Sequence, residues 1–111
     1  MLLVTACGEK RQAAKITETD TDQHYELVAA YNPDATVSMQ QYVNKTLAPN
    51  RIFVDHADHV DQEIKLVDGT VFTLKSAPGD LTIQIDKRKN SAQAVANLKK
   101  LCTEIRKVIE E

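Results

Sequence analysis

Residues 62–86 read QEIKLVDGTVFTLKSAPGDLTIQID. Leu81, Ile83 and Ile85 alternate with Thr82, Gln84 and Asp86. A period of two fits a strand with one buried face and one wet face. Gln62 to Val67 and Thr70 to Lys75 are strand-like too, although Val71 and Phe72 give the second a mixed phase. Asp68-Gly69 between them is a dipeptide favoured in two-residue hairpins. Pro78-Gly79-Asp80 marks another turn. Together with Arg51 to Asp55 (RIFVD), the pattern predicts an antiparallel meander of about four strands.

On the C-terminal side the period changes. Val95, Leu98, Leu101, Cys102, Ile105, Val108 and Ile109 form one continuous helical stripe. Asn90 stands where an N-cap is needed and Gln93 at the capping-box position. A long C-terminal helix should therefore cover the apolar sheet face. Cys102 falls on its stripe and reads as a small buried hydrophobe.

On the N-terminal side, Ser38 and Gln41 have capping-box spacing. Val37 and Tyr42 stand where a hydrophobic staple would form, and Met39, Tyr42, Val43, Thr46 and Leu47 share a helix face. Pro49 and Asn50 end that helix. His24 to Tyr31 alternates like a strand, but Tyr25, Val28 and Ala29 also share a helical face behind N-cap candidates at Asp20 to Asp22. The reading leans to a helix, ended by Asn32-Pro33. The fold class is thus α+β: one or two N-terminal helices, a sheet of about four strands, and a long helix on one sheet face. Gly8 to Asp22 is highly charged, with Ile16 its only large aliphatic residue. It reads as a flexible tether, with an exposed edge strand as the alternative.

A chain of 111 residues fits one domain, here residues 23–111. Apolar content of 42% and charge of 27% suit a globule with an aliphatic core, since Trp is absent and aromatics are few. The net charge of −2 argues against a nucleic-acid binder. From Lys87 onward seven basic residues face three acidic ones, while the rest of the chain carries seven basic and thirteen acidic. That imbalance makes Lys99, Lys100, Arg106 and Lys107 a candidate docking face for an anionic partner, or else a solvated helix lying over an acidic body. No stretch approaches the roughly 20 apolar residues that span a bilayer.

Val4-Thr5-Ala6-Cys7 resembles the lipobox of bacterial lipoprotein precursors: an aliphatic residue, two small ones, then Cys. The resemblance implies that residues 1–6 are the remnant of a signal segment. It further implies that Cys7 carries diacylglycerol and acyl chains and that residues 7–22 tether the domain to a membrane. Two or more chains make such an attachment stable where a single one is marginal. Gly8, standing where Asp would retain a lipoprotein at the inner membrane, implies the periplasmic side of the outer membrane. A full signal carries a basic region and an apolar run of about 7 to 15 residues. The six residues here read as a stump whose start lies upstream of Met1 or has been cut away. The alternative is a short buried strand ending in a core Cys, in a cytoplasmic domain with a fortuitous lipobox.

Chemistry has one dense candidate. Asp55, His56, Asp58, His59 and Asp61 place five metal-ligand types within seven residues. No spacing motif demands a metal there, and a polar turn-rich loop is the plainer reading. The sequence has no Gly-rich phosphate loop, no nucleophile elbow and no His-Glu-x-x-His. The expectation is a binding module rather than an enzyme, with no cofactor beyond the lipid on Cys7. Its partner is an envelope protein, met by a sheet edge, the exposed sheet face or the basic side of the last helix. Capture of a metal or small ligand by Asp55 to Asp61 is the alternative.

Overall fold

The computed structural model describes residues 14–54 and 59–110. Five strands form one antiparallel sheet: β1 (Lys15–Asp20), β2 (His24–Ala30), β3 (Val60–Lys65), β4 (Val71–Ala77) and β5 (Asp80–Asp86). Their spatial order is β1-β2-β5-β4-β3, so β5 is central and β1 and β3 are the edges. Helices α1 (Thr36–Thr46) and α2 (Ala92–Glu110) join the core formed by the sheet's inward residues. The class is α+β as expected, with five strands rather than four.

The added strands come from the two segments with the weakest periodicity. β1 lies within the expected tether, and β2 occupies the stretch that leaned to helix. In β2, Tyr25, Leu27 and Ala29 are buried in strict alternation. The strand has β1 on one side and β5 on the other. Two ladders outweigh a weak helical face, because sheet context rather than intrinsic preference decides such segments. The expected N-caps instead build a turn. The Thr21 N–H donates to the His24 carbonyl at 2.8 Å, and the Thr21 hydroxyl accepts the His24 N–H at 3.0 Å.

Arg51 to Val54, expected as a strand, pairs with no other strand. Ile52 and Phe53 are consecutive and both buried. Asn44 of α1 replaces the missing ladder: its Oδ1 accepts both backbone N–H groups at 2.9 Å, and its Nδ2 donates to the Phe53 carbonyl at 2.8 Å. A buried backbone needs such partners, and one Asn supplies three bonds.

The helix starts also differ from expectation. A 3₁₀ turn at Pro33–Ala35 precedes α1, and the Asn32 side chain caps it by accepting the Asp34 N–H. Asn followed by Pro at the first position is a strong start signal, and it places Ser38 inside the helix instead of at its cap. Val37 is consequently exposed and forms no staple. For α2 the cap is Ser91, whose hydroxyl accepts the Ala94 N–H at 3.0 Å. Asn90 is used elsewhere: it bonds both the N–H and the carbonyl of Val71 and also the Asp86 carbonyl. It thus fastens the approach to α2 onto β4 and β5.

The hairpin β3–β4 closes through a three-residue loop, not two. Leu66 pairs with Thr70, and the Gly69 N–H returns to the Leu66 carbonyl. Gly69 has φ +95°, the left-handed residue that completes a type I turn with a bulge. The β4–β5 turn has Pro78 followed by Gly79 at φ +80°, the type II signature. Gly79 is also tightly packed, since a Cβ there would lie 2.8 Å from the Tyr31 carbonyl oxygen.

Candidate functional site

Both helices pack against the sheet's inward residues, and a groove is lined by residues of both together with the β3–β4 hairpin. Its floor is apolar: Tyr42 and Leu47 from α1, Leu98 and Leu101 from α2, and Leu66 from the β3–β4 hairpin. Its volume is about 330 Å³, at the small end of the range for ligand and anchor pockets. Asp68 rims it on the hairpin side, with Lys100 and Glu104 on the helix side. Asp68 is firmly ionised, because the Thr70 backbone N–H bonded to its carboxylate holds it below the usual carboxylate range. Between two groove residues, at the hairpin tip, Val67 stands 76% exposed.

The four basic residues expected to form a docking face have separate fates. Lys99 binds Asp20 at 2.6 Å and stacks over the Tyr25 ring, 5.5 Å from its centroid. Arg106 pairs with Glu18. Lys107 pairs with Glu104 one turn away, at 3.0 Å. Lys100, of these four, makes no ion pair among the described residues and borders the groove. Much of the basic excess of α2 is therefore matched by the acids of β1.

The pairing explains how a polar edge strand stays in the sheet. Ile16, Glu18 and Asp20 face the same side as Ala29, Leu27 and Tyr25 of β2. Only Ile16 is apolar, and it is half-buried. Glu18 accepts the Tyr25 hydroxyl at 2.5 Å, and Asp20 also binds Lys87 at 2.5 Å. The hydrogen bond to Lys87 is the largest cause holding Asp20 below its ordinary range, with Lys99 next. Burial, reinforced by the bond to Glu18, pushes the Tyr25 hydroxyl well above its usual value. Acids two apart on a strand and cations seven apart on a helix carry no local signal, and sequence reasoning missed the match.

Cys102 lies beneath this cluster, fully buried, and burial pushes its thiol up to about 12. A thiol so buried is a packing residue rather than a nucleophile. The expected anchor Cys7 lies outside the described residues, as do Asp55, His56 and Asp58 of the metal candidate. His59 and Asp61 line a shallow surface depression that also contains Lys75 and Asp80. Lys75 sits directly opposite Asp61 on the neighbouring strand, placing a cation where a metal site needs more ligands. Among the described residues no three metal-ligating side chains gather. Two buried hydroxyls, Tyr31 and Ser76, have no partner at hydrogen-bonding geometry among the described residues.

Fold and groove together define a single-sheet α+β domain with helices on one face and a polar opposite face. Compared with known proteins, the chain matches no family model, no curated protein and no solved structure. Among the described residues no helix is long and apolar enough to cross a membrane.

Proposed function

We propose that the chain is a lipid-anchored cell-envelope lipoprotein, attached through Cys7, whose domain is a protein-binding module working through the groove between α1 and α2. The observation that carries this reading is the relation between anchor and groove. Seven residues separate Cys7 from Lys15, where β1 begins. Fully extended they reach at most about 25 Å. Lys15 pairs with Ala30, and Ala30 with Asp80, so the tether meets one end of the sheet. The hairpin at Leu66 to Thr70 is at the other end, and the groove lies beside it. An anchor at one end and an open apolar groove at the other suit a domain that faces a partner away from the membrane.

The sheet edges suit docking less well. Glu18 and Asp20 point inward on β1, and Asp61, Glu63 and Lys65 line the outer face of β3. Charges placed this way are the usual protection of an edge against added strands. The outer face presents Thr17, Thr82, Thr73 and Gln84 to water, and Val28 between Thr17 and Thr82 is its exposed large apolar residue among the described residues. The reading is of a binding module at the periplasmic side of the outer membrane, without catalytic chemistry.

Producing the protein from its full-length gene in a diderm host tests this directly. The peptide beginning at Cys7 should carry diacylglyceryl and acyl mass, and Cys7→Ser should move the protein to the soluble fraction. Photocrosslinkers at Asn97 or Thr46 should capture an envelope protein, and one at Thr82 on the outer face should not. An unmodified Cys7 still preceded by its leader sinks the envelope half of the proposal. Equal crosslinking from Thr82 sinks the groove half.

A further inference from the structure

We infer that β1 sits in a strand-binding slot along β2 as an exchangeable stand-in for an extended acidic segment of a partner protein. The residues that build the slot are β2 with Lys87, Lys99 and Arg106, and none of those three cations lines the groove between α1 and α2. The inference therefore goes beyond the groove reading.

The first observation is what β1 lacks. The inward residues of β2, β4 and β5 include Leu27, Leu74 and Ile83, all at 0% exposure. The inward residues of β1 are Ile16, Glu18 and Asp20, and only Ile16 is even half-buried. β1 thus adds little apolar burial, and as an edge strand it has one ladder. A segment held in this way lies at the low end of local stability. The rest of the sheet, in the order β2-β5-β4-β3, stays continuous without it.

The second observation is what receives β1. Three cations converge on its two inward carboxylates: Lys87 and Lys99 meet Asp20 at 2.5 and 2.6 Å, and Arg106 meets Glu18. The Tyr25 hydroxyl also donates to Glu18, and Lys99 lies over the Tyr25 ring. The receiving surface is a row of β2 backbone groups with positive charge set behind alternate positions. Addition of a strand uses both parts, since main-chain bonds give affinity and alternate side chains give selectivity. The register states what fits. Ile16 stands opposite Ala29, Glu18 opposite Leu27 and Asp20 opposite Tyr25. An occupant therefore needs acids two residues apart and an aliphatic residue two before the first.

The turn Thr21 to Gln23 ties β1 directly to β2. Its local concentration is high, and a free segment competes at a disadvantage. The closed form is the resting state, in which β1 also masks the charge of Lys87, Lys99 and Arg106.

The test uses the full chain carrying Cys7→Ser, with a synthetic peptide of residues 14–22 as probe. Glu18→Lys with Asp20→Lys sets β1 against the three cations. The β1 amides should lose exchange protection while those of β5 keep theirs. Millimolar peptide should then shift the amide signals of Tyr25 to Ala30, and bind at least about tenfold more tightly than to the parent chain. A peptide with residues 18 and 19 exchanged keeps the composition but moves one acid off the inward face, and should bind several-fold more weakly. Adding Lys99→Glu and Arg106→Glu to the reversed chain should return β1 to the sheet and shut the peptide out. If the reversed chain does not fold, Glu18→Gln with Asp20→Asn loosens β1 without opposing charges and serves the same titration. A loosened chain that ignores millimolar peptide overturns the inference, as does equal binding of the exchanged peptide. Neither result bears on Cys7 acylation or on crosslinking from the groove, so the wider reading stands or falls separately.

Discussion

β5 and β1 belong to the same sheet and are held in it by different forces. β5 lies at the centre, with Leu81, Ile83 and Ile85 at 0–1% exposure and a ladder on each side. β1 lies at the edge, has Ile16 as its only apolar inward residue, and meets α2 through Glu18 and Asp20. Burial holds the first, while ion pairs and one ladder hold the second. Under the proposed function the anchor is joined to β1, so the membrane grips the domain by its least apolar strand.

The widest gap between the two strands should appear on truncation to Ala. Ile83→Ala empties a fully buried site and should cost about 2–5 kcal/mol in urea unfolding. Ile16→Ala should cost about 1 kcal/mol, in line with half burial. Equal losses would erase the distinction.

Next comes the turn that feeds β5. Gly79→Ala forces a side chain into φ +80° and to within 2.8 Å of the Tyr31 carbonyl. A loss of about 2 kcal/mol is expected, read by thermal unfolding. A Cβ at Gly69 would meet nothing within 4 Å, so Gly69→Ala carries the conformational cost alone and should lose less.

Smaller still is the grip on β1. A double-mutant cycle of Glu18→Gln and Arg106→Gln should give a coupling of about 0.5–1 kcal/mol at low salt. It should shrink towards zero at 1 M salt, where screening acts within about 3 Å. A coupling that ignores salt would mean that packing rather than charge joins the pair.

The least effect should be seen in acid. Asp20 is held below its ordinary 3.8 by Lys87 and Lys99, and Asp86 is held at about 2 by Arg88. A carboxylate with a depressed folded value stabilises the fold above its unfolded value, and the contribution fades as pH falls through the folded one. Asp20→Asn should therefore melt lower than the parent chain at pH 5 and converge with it near pH 2. Curves that stay parallel would remove Asp20 from the clamp.

The same contrast explains what the sequence disclosed. Leu81 to Asp86 was legible because alternation records one buried face. The stripe from Val95 to Ile109 was legible because its period is helical; six of its seven residues are buried, Val108 is half-buried, and Ala94 is buried beside them although the stripe did not include it. β1 was legible only as the less favoured alternative, an exposed edge strand: charged residues at alternate positions look like a solvated tether until cations from residues 87, 99 and 106 are placed over them. β2 was ambiguous because Tyr25, Val28 and Ala29 satisfy either period, and only its neighbours decide. Arg51 to Val54 resembles a strand in sequence, but Asn44 supplies the bonds that a strand would otherwise seek. Of the site, Lys100 was among the candidate residues. The groove was not, because its floor joins Tyr42, Leu66 and Leu101 across three elements.

Native-state amide exchange in 20 mM and then 1 M salt tests most directly whether charge holds the edge strand. The β1 amides bonded to β2 should exchange faster than those of β5. They should also lose protection several-fold further at high salt, while β5 exchanges only with global unfolding. If β1 and β5 share one exchange rate at both salt concentrations, the edge strand is not held by charge, and the contrast between the two strands collapses.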